Sequence, residues 1–194
     1  KPEVLTYTDN HGITVAEALK ANGIDPDKIE EAARPPGSIK AHVELHIEQG
    51  NVLEKQNLSV GVVTGITAAS RLRLRIIGEA GHAGTTPMRH RRDPLAASAE
   101  IIQVIEEEAL NTETTVGTVG RMVVHPGGSN VIPSMVEFSI DLRDLNEQVR
   151  DVVEGKILSR AKEICHRRHV DMKIDVWNKG TSKPCSDYVQ TMIK

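Results

Sequence analysis

The sequence predicts an α+β chain whose main body, residues 60–178, is a ferredoxin-like β-α-β-β-α-β unit. Three observations carry this reading. Period-two alternation marks strands near 60–80, 115–125, 135–143 and 170–177. Apolar residues at helical spacing mark 94–110 and 146–168. Their order is that of a split βαβ unit, an antiparallel sheet with two helices on one face.

The elements follow from the N-terminus. Thr14-Val15-Ala16-Glu17-Ala18-Leu19-Lys20 has helix-forming composition and stops at Asn22-Gly23. Asp25-Pro26 opens a second short helix through Ala33, closed by Pro35-Pro36-Gly37. From Ala41 to Ile47 apolar and polar residues alternate, which predicts a strand with His46 near its end. Residues 50–56 read as a short helix. In 60–80, Arg71, Arg73 and Arg75 alternate against Leu72, Leu74 and Ile76, so one face is wet. A glycine-rich loop at 78–84 carries His82. Asp93-Pro94 starts the first long helix. Pro126-Gly127-Gly128-Ser129 joins the next two strands.

The composition bounds the function. A 39% hydrophobic and 26% charged chain of 194 residues buries one sizeable domain, and 2% aromatics make its core aliphatic. A net charge of −3 with mixed signs speaks against nucleic acid and membrane surfaces as partners. The local exception, Arg89-His90-Arg91-Arg92, reads as a solvated loop before a helix. No apolar run reaches the ~18 residues of a membrane span. Cys165 and Cys185 read as free thiols, and the expected location is the cytoplasm.

Four segments hold candidate chemistry. His46, in Glu44-Leu45-His46-Ile47-Glu48-Gln49-Gly50, can ligate a metal or simply hydrogen-bond along its strand. His82, among small residues in Gly81-His82-Ala83-Gly84-Thr85-Thr86-Pro87, can approach a ligand and donate to a developing oxyanion, or serve only as a turn residue. Asn130, after Gly128-Ser129, occupies a loop able to fold over a ligand, though asparagine is also a common turn residue. Arg143, in Asp141-Leu142-Arg143, offers a fork for a carboxylate or a surface ion pair with Asp141 or Asp144.

Five strings, in the same order, resemble one family: His46-Ile47-Glu48-Gln49-Gly50, Gly81-His82-Ala83-Gly84-Thr85-Thr86-Pro87-Met88, Arg92-Asp93-Pro94, Gly128-Ser129-Asn130-Val131-Ile132-Pro133 and Asp141-Leu142-Arg143. It is the amidohydrolase branch of the M20 metallopeptidase-like enzymes, which holds N-carbamoyl-L-amino-acid hydrolases, allantoate amidohydrolases and β-ureidopropionases. The resemblance implies a catalytic domain interrupted by a ferredoxin-like lid that also forms a homodimer. It divides the chain into residues 1–59, the end of a first catalytic segment; 60–178, the lid; and 179–194, the start of a second catalytic segment.

By motif position the resemblance makes His46 a metal ligand and His82 the lid histidine that reaches the partner subunit's site. It makes Asn130 and Arg143 the lid residues that bind the substrate carboxylate, and places Gln49 at the pocket wall. The implied cofactor is a pair of divalent metal ions, Zn, Mn, Co or Ni, acting on a small ureido compound that carries a carboxylate. The remaining metal ligands and the general base are expected before residue 1 and after residue 194. With His46 as the one ligand, the 194 residues are expected to hold no metal stably and to be inactive alone. An N-carbamoyl-L-amino-acid hydrolase is the first reading and an allantoate amidohydrolase the second. For the isolated chain, a non-catalytic dimerisation and substrate-binding module is the third. Cut from its sheet, the strand at 41–47 is expected to be disordered or paired with another copy.

Overall fold

The computed structural model describes residues 2–194. The chain divides into two compact units, Lys1–Ser59 and Val60–Lys194.

In the first unit, helix α1 (Val15–Ala21) starts at a capping box. Thr14 accepts from the Glu17 amide at 3.1 Å, and the Glu17 carboxylate accepts from the Thr14 amide at 2.8 Å. It stops at Asn22 and Gly23, the glycine at φ +74°. The expected helix at 26–33 forms, but as a 3-10 helix over Pro26–Ala32 with only Pro26 buried. A short charged segment with no face to pack gains little from a full α-helix. A second helix, α2 (Val52–Lys55), is shorter than expected, and Glu48 reaches forward to accept from the Val52 amide at 2.8 Å.

The strand expected at 41–47 is not formed. Residues 41–48 adopt neither helix nor strand, and Val43, Leu45 and Ile47 are 63%, 95% and 76% exposed. Alternation supplies an apolar face, but a strand also needs a neighbour's hydrogen-bond ladder, and no described residue provides one here.

The second unit holds a five-stranded antiparallel sheet. Its strands are β2 (Ala68–Ile77), β4 (Val116–Thr118), β5 (Met122–His125), β7 (Met135–Asp144) and β8 (Asp171–Lys179). Across the sheet the order is β4 and β5 together, then β7, β2 and β8. Two helices, α3 (Pro94–Leu110) and α4 (Glu147–Arg167), lie on one face. Both begin where their caps dictate: Asp93 accepts from the Leu95 and Ala96 amides, and Asn146 from those of Gln148 and Val149. Leu72, Leu74 and Ile76 of β2 with Val136, Phe138, Ile140 and Leu142 of β7 meet Ile101 and Ile105 of α3 and Val153 and Ile157 of α4. That core is aliphatic apart from Phe138, the one phenylalanine of the chain.

The expected strand 115–125 is split. Thr118 pairs with Asp141 and Met122 with Phe138, so four steps on one strand match three on the other. The extra residue is a bulge at Val119-Gly120-Arg121. A second irregularity sits in β8: Arg71 pairs with Asn178 and Leu72 with Val176, which leaves Trp177 as the extra residue. The Arg73 guanidinium lies 5.5 Å from its ring centroid.

The other face of the sheet is open and charged. Arg71 pairs across the ladder with Asp141 (3.1 Å) and Arg75 with Glu137 (2.8 Å). In a separate two-stranded sheet, β1 (Gly65–Ile66) pairs with β9 (Lys183–Pro184), and helix α5 (Asp187–Ile193) follows. The fully buried Arg150 donates to the Gly180 carbonyl at 2.7 Å, while the Gly180 amide donates to Ala69 at 2.8 Å. These bonds clasp the entering and leaving stretches of the unit together.

Candidate functional site

His82 does not lie in an open loop. With Gly81 it forms a two-residue strand, β3 (Gly81–His82), paired with β6 (Val131–Ile132). His82 sits opposite Val131, and the Ala83 amide donates to the Asn130 carbonyl at 2.9 Å. Two candidate residues 48 positions apart in the sequence are thereby neighbours. Both side chains are exposed.

The tautomer of His82 is set locally. Its Nδ1 accepts from the Gly84 amide at 3.0 Å, so the neutral ring carries its proton on Nε2, which points away as a donor. A Cβ at Gly81 would lie 2.9 Å from Thr86 Oγ1, so a larger residue there would have to displace that side chain. Arg91 braces the segment: Nε donates to the Thr86 carbonyl at 3.1 Å and a terminal nitrogen to Ala83 at 2.6 Å. The basic run 89–92 is therefore not simply a solvated loop. Arg91 is half-buried, and Arg92 donates to the His169 carbonyl at 2.6 Å. Arg91 serves carbonyl groups that have no helix or sheet partner, a need that sequence spacing does not display, while Arg92 stays exposed.

Arg143 lies near the far end of β7. Two of its nitrogens grip both oxygens of Asp141 at 2.7 and 2.9 Å. The Arg143 hydrogen bonds hold the Asp141 carboxyl below the ordinary carboxylate range, with Arg71 assisting against burial. Asp141 in turn raises the affinity of the Arg143 guanidinium for its proton. Asn130 precedes Met135, and Arg143 comes eight residues after Met135 along a straight ladder. At ~3.3 Å per residue, Met135 and Arg143 lie roughly 25 Å apart along β7, and Asn130 is on the chain that leads into the Met135 end. The structure therefore joins His82 to Asn130 and parts both from Arg143.

His46 and Gln49 belong to the first unit. His46 is exposed on irregular chain rather than at a strand end, and its Nδ1 meets the carbonyl of Ile47. Gln49 sits at φ +57°, a left-handed turn that directs the chain toward α2. Among the described residues no three His, Cys, Asp or Glu side chains converge as a metal site. The donors of this chain alone do not fit a two-metal centre. Cys165 and Cys185 are free, and burial with the Asp171 charge pushes the Cys165 thiol up to about 11, which leaves it inert at neutral pH.

Comparison with known proteins sets these features in a family. The profile of the peptidase dimerisation domain of the M20 group matches residues 64–169. Over 189 residues, 97% of the chain, the sequence is 53% identical to an N-carbamoyl-L-amino acid amidohydrolase of Geobacillus stearothermophilus. It is 35% identical over 202 residues to a probable allantoate deiminase of Oryza sativa subsp. japonica, covering 94% of the chain and 41% of that protein. A solved hydantoinase/carbamoylase family amidase from Burkholderia ambifaria superposes with a TM-score of 0.85 at 30% identity, covering 98% of the chain and 46% of that structure. The chain belongs to the M20 family of amidohydrolases, in the branch of the N-carbamoyl-L-amino-acid amidohydrolases and allantoate deiminases. It spans 46% of the length of the Geobacillus protein, about half. No helix among the described residues is long and apolar enough to cross a membrane.

Proposed function

We propose that this chain is the lid-and-dimerisation part, with adjoining catalytic segments, of a hydrolase that cleaves the C–N bond of a ureido group in an N-carbamoyl-L-amino acid. The observation that carries the reading is the juxtaposition of His82 and Asn130 through the β3–β6 pair. In this reading residues 60–178 form a ferredoxin-like lid, 1–59 end one catalytic segment and 179–194 begin another.

The Nε2–H of His82 donates to the oxyanion that develops on the ureido carbonyl. Asn130 and Arg143 hold the substrate carboxylate by an amide and a guanidinium fork. With roughly 25 Å of β7 between the Asn130 loop and Arg143 within one copy, this reading has two copies contribute to one carboxylate. A homodimer is therefore part of the proposal. Arg143 must also exchange some of its contact with Asp141 for the substrate, a swap of one carboxylate for another at little net cost. Gln49 lines the pocket and His46 ligates one of two divalent metal ions, Zn, Mn, Co or Ni. The other ligands come from chain outside these 194 residues. The proposed location is the cytoplasm, with neither nucleic acid nor membrane as partner.

Kinship to allantoate deiminases supports allantoate as the second substrate reading. Alone, the 194 residues would be a binding and dimerisation module without turnover. The test is ammonia release by the longer protein that carries this segment. Faster turnover of N-carbamoyl-L-amino acids than of allantoate supports the proposal. Faster turnover of allantoate transfers it to the second reading, and release from neither overturns both.

A further inference from the structure

The basic run 89–92 has a second partner besides the His82 segment. At one end of the helix layer, the turn before α3 faces the last turn of α4 across a pocket of about 280 Å³. Its wall carries Arg89, Arg91, Arg167, Arg168 and His169, with Asp93 the one carboxylate on it. Behind the wall, Glu100 accepts from both Arg167 and Arg168. Four guanidinium groups thus face two carboxylates, and the Asp93 side chain is already committed to the Leu95 and Ala96 amides. The Arg89 side chain makes no hydrogen bond or ion pair with any described residue. The partial negative charge at the C-terminus of α4 opposes an anion here, and the partial positive charge at the N-terminus of α3 offsets it.

His169 adds an independent observation. The chain leaves α4 by a left-handed residue: the Val170 amide bonds Cys165, the His169 amide bonds His166, and His169 itself sits at φ +55°. Glycine is the residue that fits this stop without strain. Here an imidazole takes the position and lines the pocket.

We propose that this pocket binds a small tetrahedral oxyanion, free phosphate or a phosphate monoester, and that Arg91 transmits its occupancy to the His82 segment. Several convergent, partly satisfied arginines match the multiple oxygens of such an anion through charge-assisted, bidentate bonds. Arg91 lines the pocket and holds the carbonyls of Ala83 and Thr86, so the anion would be one side chain away from His82. Anion binding stands apart from the catalytic reading above; only its consequence for turnover rests on that reading.

The test is an NMR titration of the 194-residue chain with inorganic phosphate, glycerol 3-phosphate and, at matched ionic strength, sodium chloride. The expected result is saturable movement of the Arg89 and His169 signals with phosphate beyond that caused by chloride. Arg89→Gln and Arg167→Gln should each weaken binding about tenfold, equivalent to ~1.4 kcal/mol. Arg73→Gln, on the open sheet face, should leave it unchanged. Tighter binding of the ester assigns the ester as ligand, and tighter binding of phosphate the free ion. In Arg91→Lys the anion should still bind, but the accompanying shifts of His82 and Gly84 should vanish. Phosphate shifts no larger than those of chloride, or equal affinity in Arg89→Gln with its native spectrum intact, would overturn the site. Undiminished His82 shifts in Arg91→Lys would overturn the transmission.

Discussion

The Ala83 amide donates to the carbonyl of Asn130 at 2.9 Å. This single bond, beside the two-residue β3–β6 ladder, holds the segment of His82 against Asn130. The main chain thereby holds the two residues side by side, while both side chains stay exposed.

Gly78→Ala should be severely destabilising. A Cβ at Gly78 would lie 2.0 Å from the Arg92 carbonyl and 2.7 Å from Pro94 Cδ, and the Glu79 amide bonds that same carbonyl at 2.9 Å. Neither neighbour is the tip of a flexible chain. A loss of about 3 kcal/mol, read as a lowered urea midpoint, is expected.

Asp144 should contribute to acid unfolding. Burial alone would raise its pKa above the ordinary 3.8, but hydrogen bonds from Thr115, the Asn146 amide, Thr114 and the Leu145 amide bring it lower. A depressed carboxylate stabilises the fold above its unfolded pKa, and that contribution is lost as pH falls through the folded value. Stability measured between about pH 5 and pH 2 should fall less steeply in Asp144→Asn than in the parent chain. Equal slopes would mean that Asp144 takes no part in acid unfolding.

His169→Gly should stabilise the chain by about 1 kcal/mol, because glycine relieves the left-handed stop of α4. The same variant should bind phosphate more weakly, since it takes an imidazole from the pocket wall. A melting temperature that falls would contradict the first half of this prediction.

On the proposed function, Arg143→Lys in the longer protein should raise KM for a carboxylate-bearing substrate by about tenfold, through loss of the bidentate fork. His82→Ala should instead lower kcat by roughly 10²-fold, the scale of one lost oxyanion donor. The split between the two parameters is the readout, because a merely structural role would move both together.

Much of the fold was legible in the sequence because local signals agreed with tertiary demands. Asp93-Pro94 and Asn146 marked where α3 and α4 begin, and the Arg71 to Ile76 alternation marked a strand with one wet face. What stayed hidden depended on distant partners. The strand at 41–47 had its pattern but no neighbour, and the bulge that splits β4 from β5 follows from pairing with β7. The β3–β6 pair is two residues long and part glycine, too short for any periodicity. The same limit governed the site. Asn130 and His82 meet through that unreadable pair, while Asn130 and Arg143, close in sequence, are held apart by the length of the strand between them.

That separation makes the central claim testable in one measurement: mixing two impaired variants of the longer enzyme, His82→Ala and Arg143→Ala, after unfolding and refolding them together. If each site draws His82 from one copy and Arg143 from the other, half the dimers are hybrids and one of their two sites is intact, so at substrate well below KM, where both variants are impaired, about a quarter of the parent activity should return. If activity stays at the level of the separate variants while hybrid dimers are present, both residues serve the same copy's site, and a site shared between two copies is contradicted.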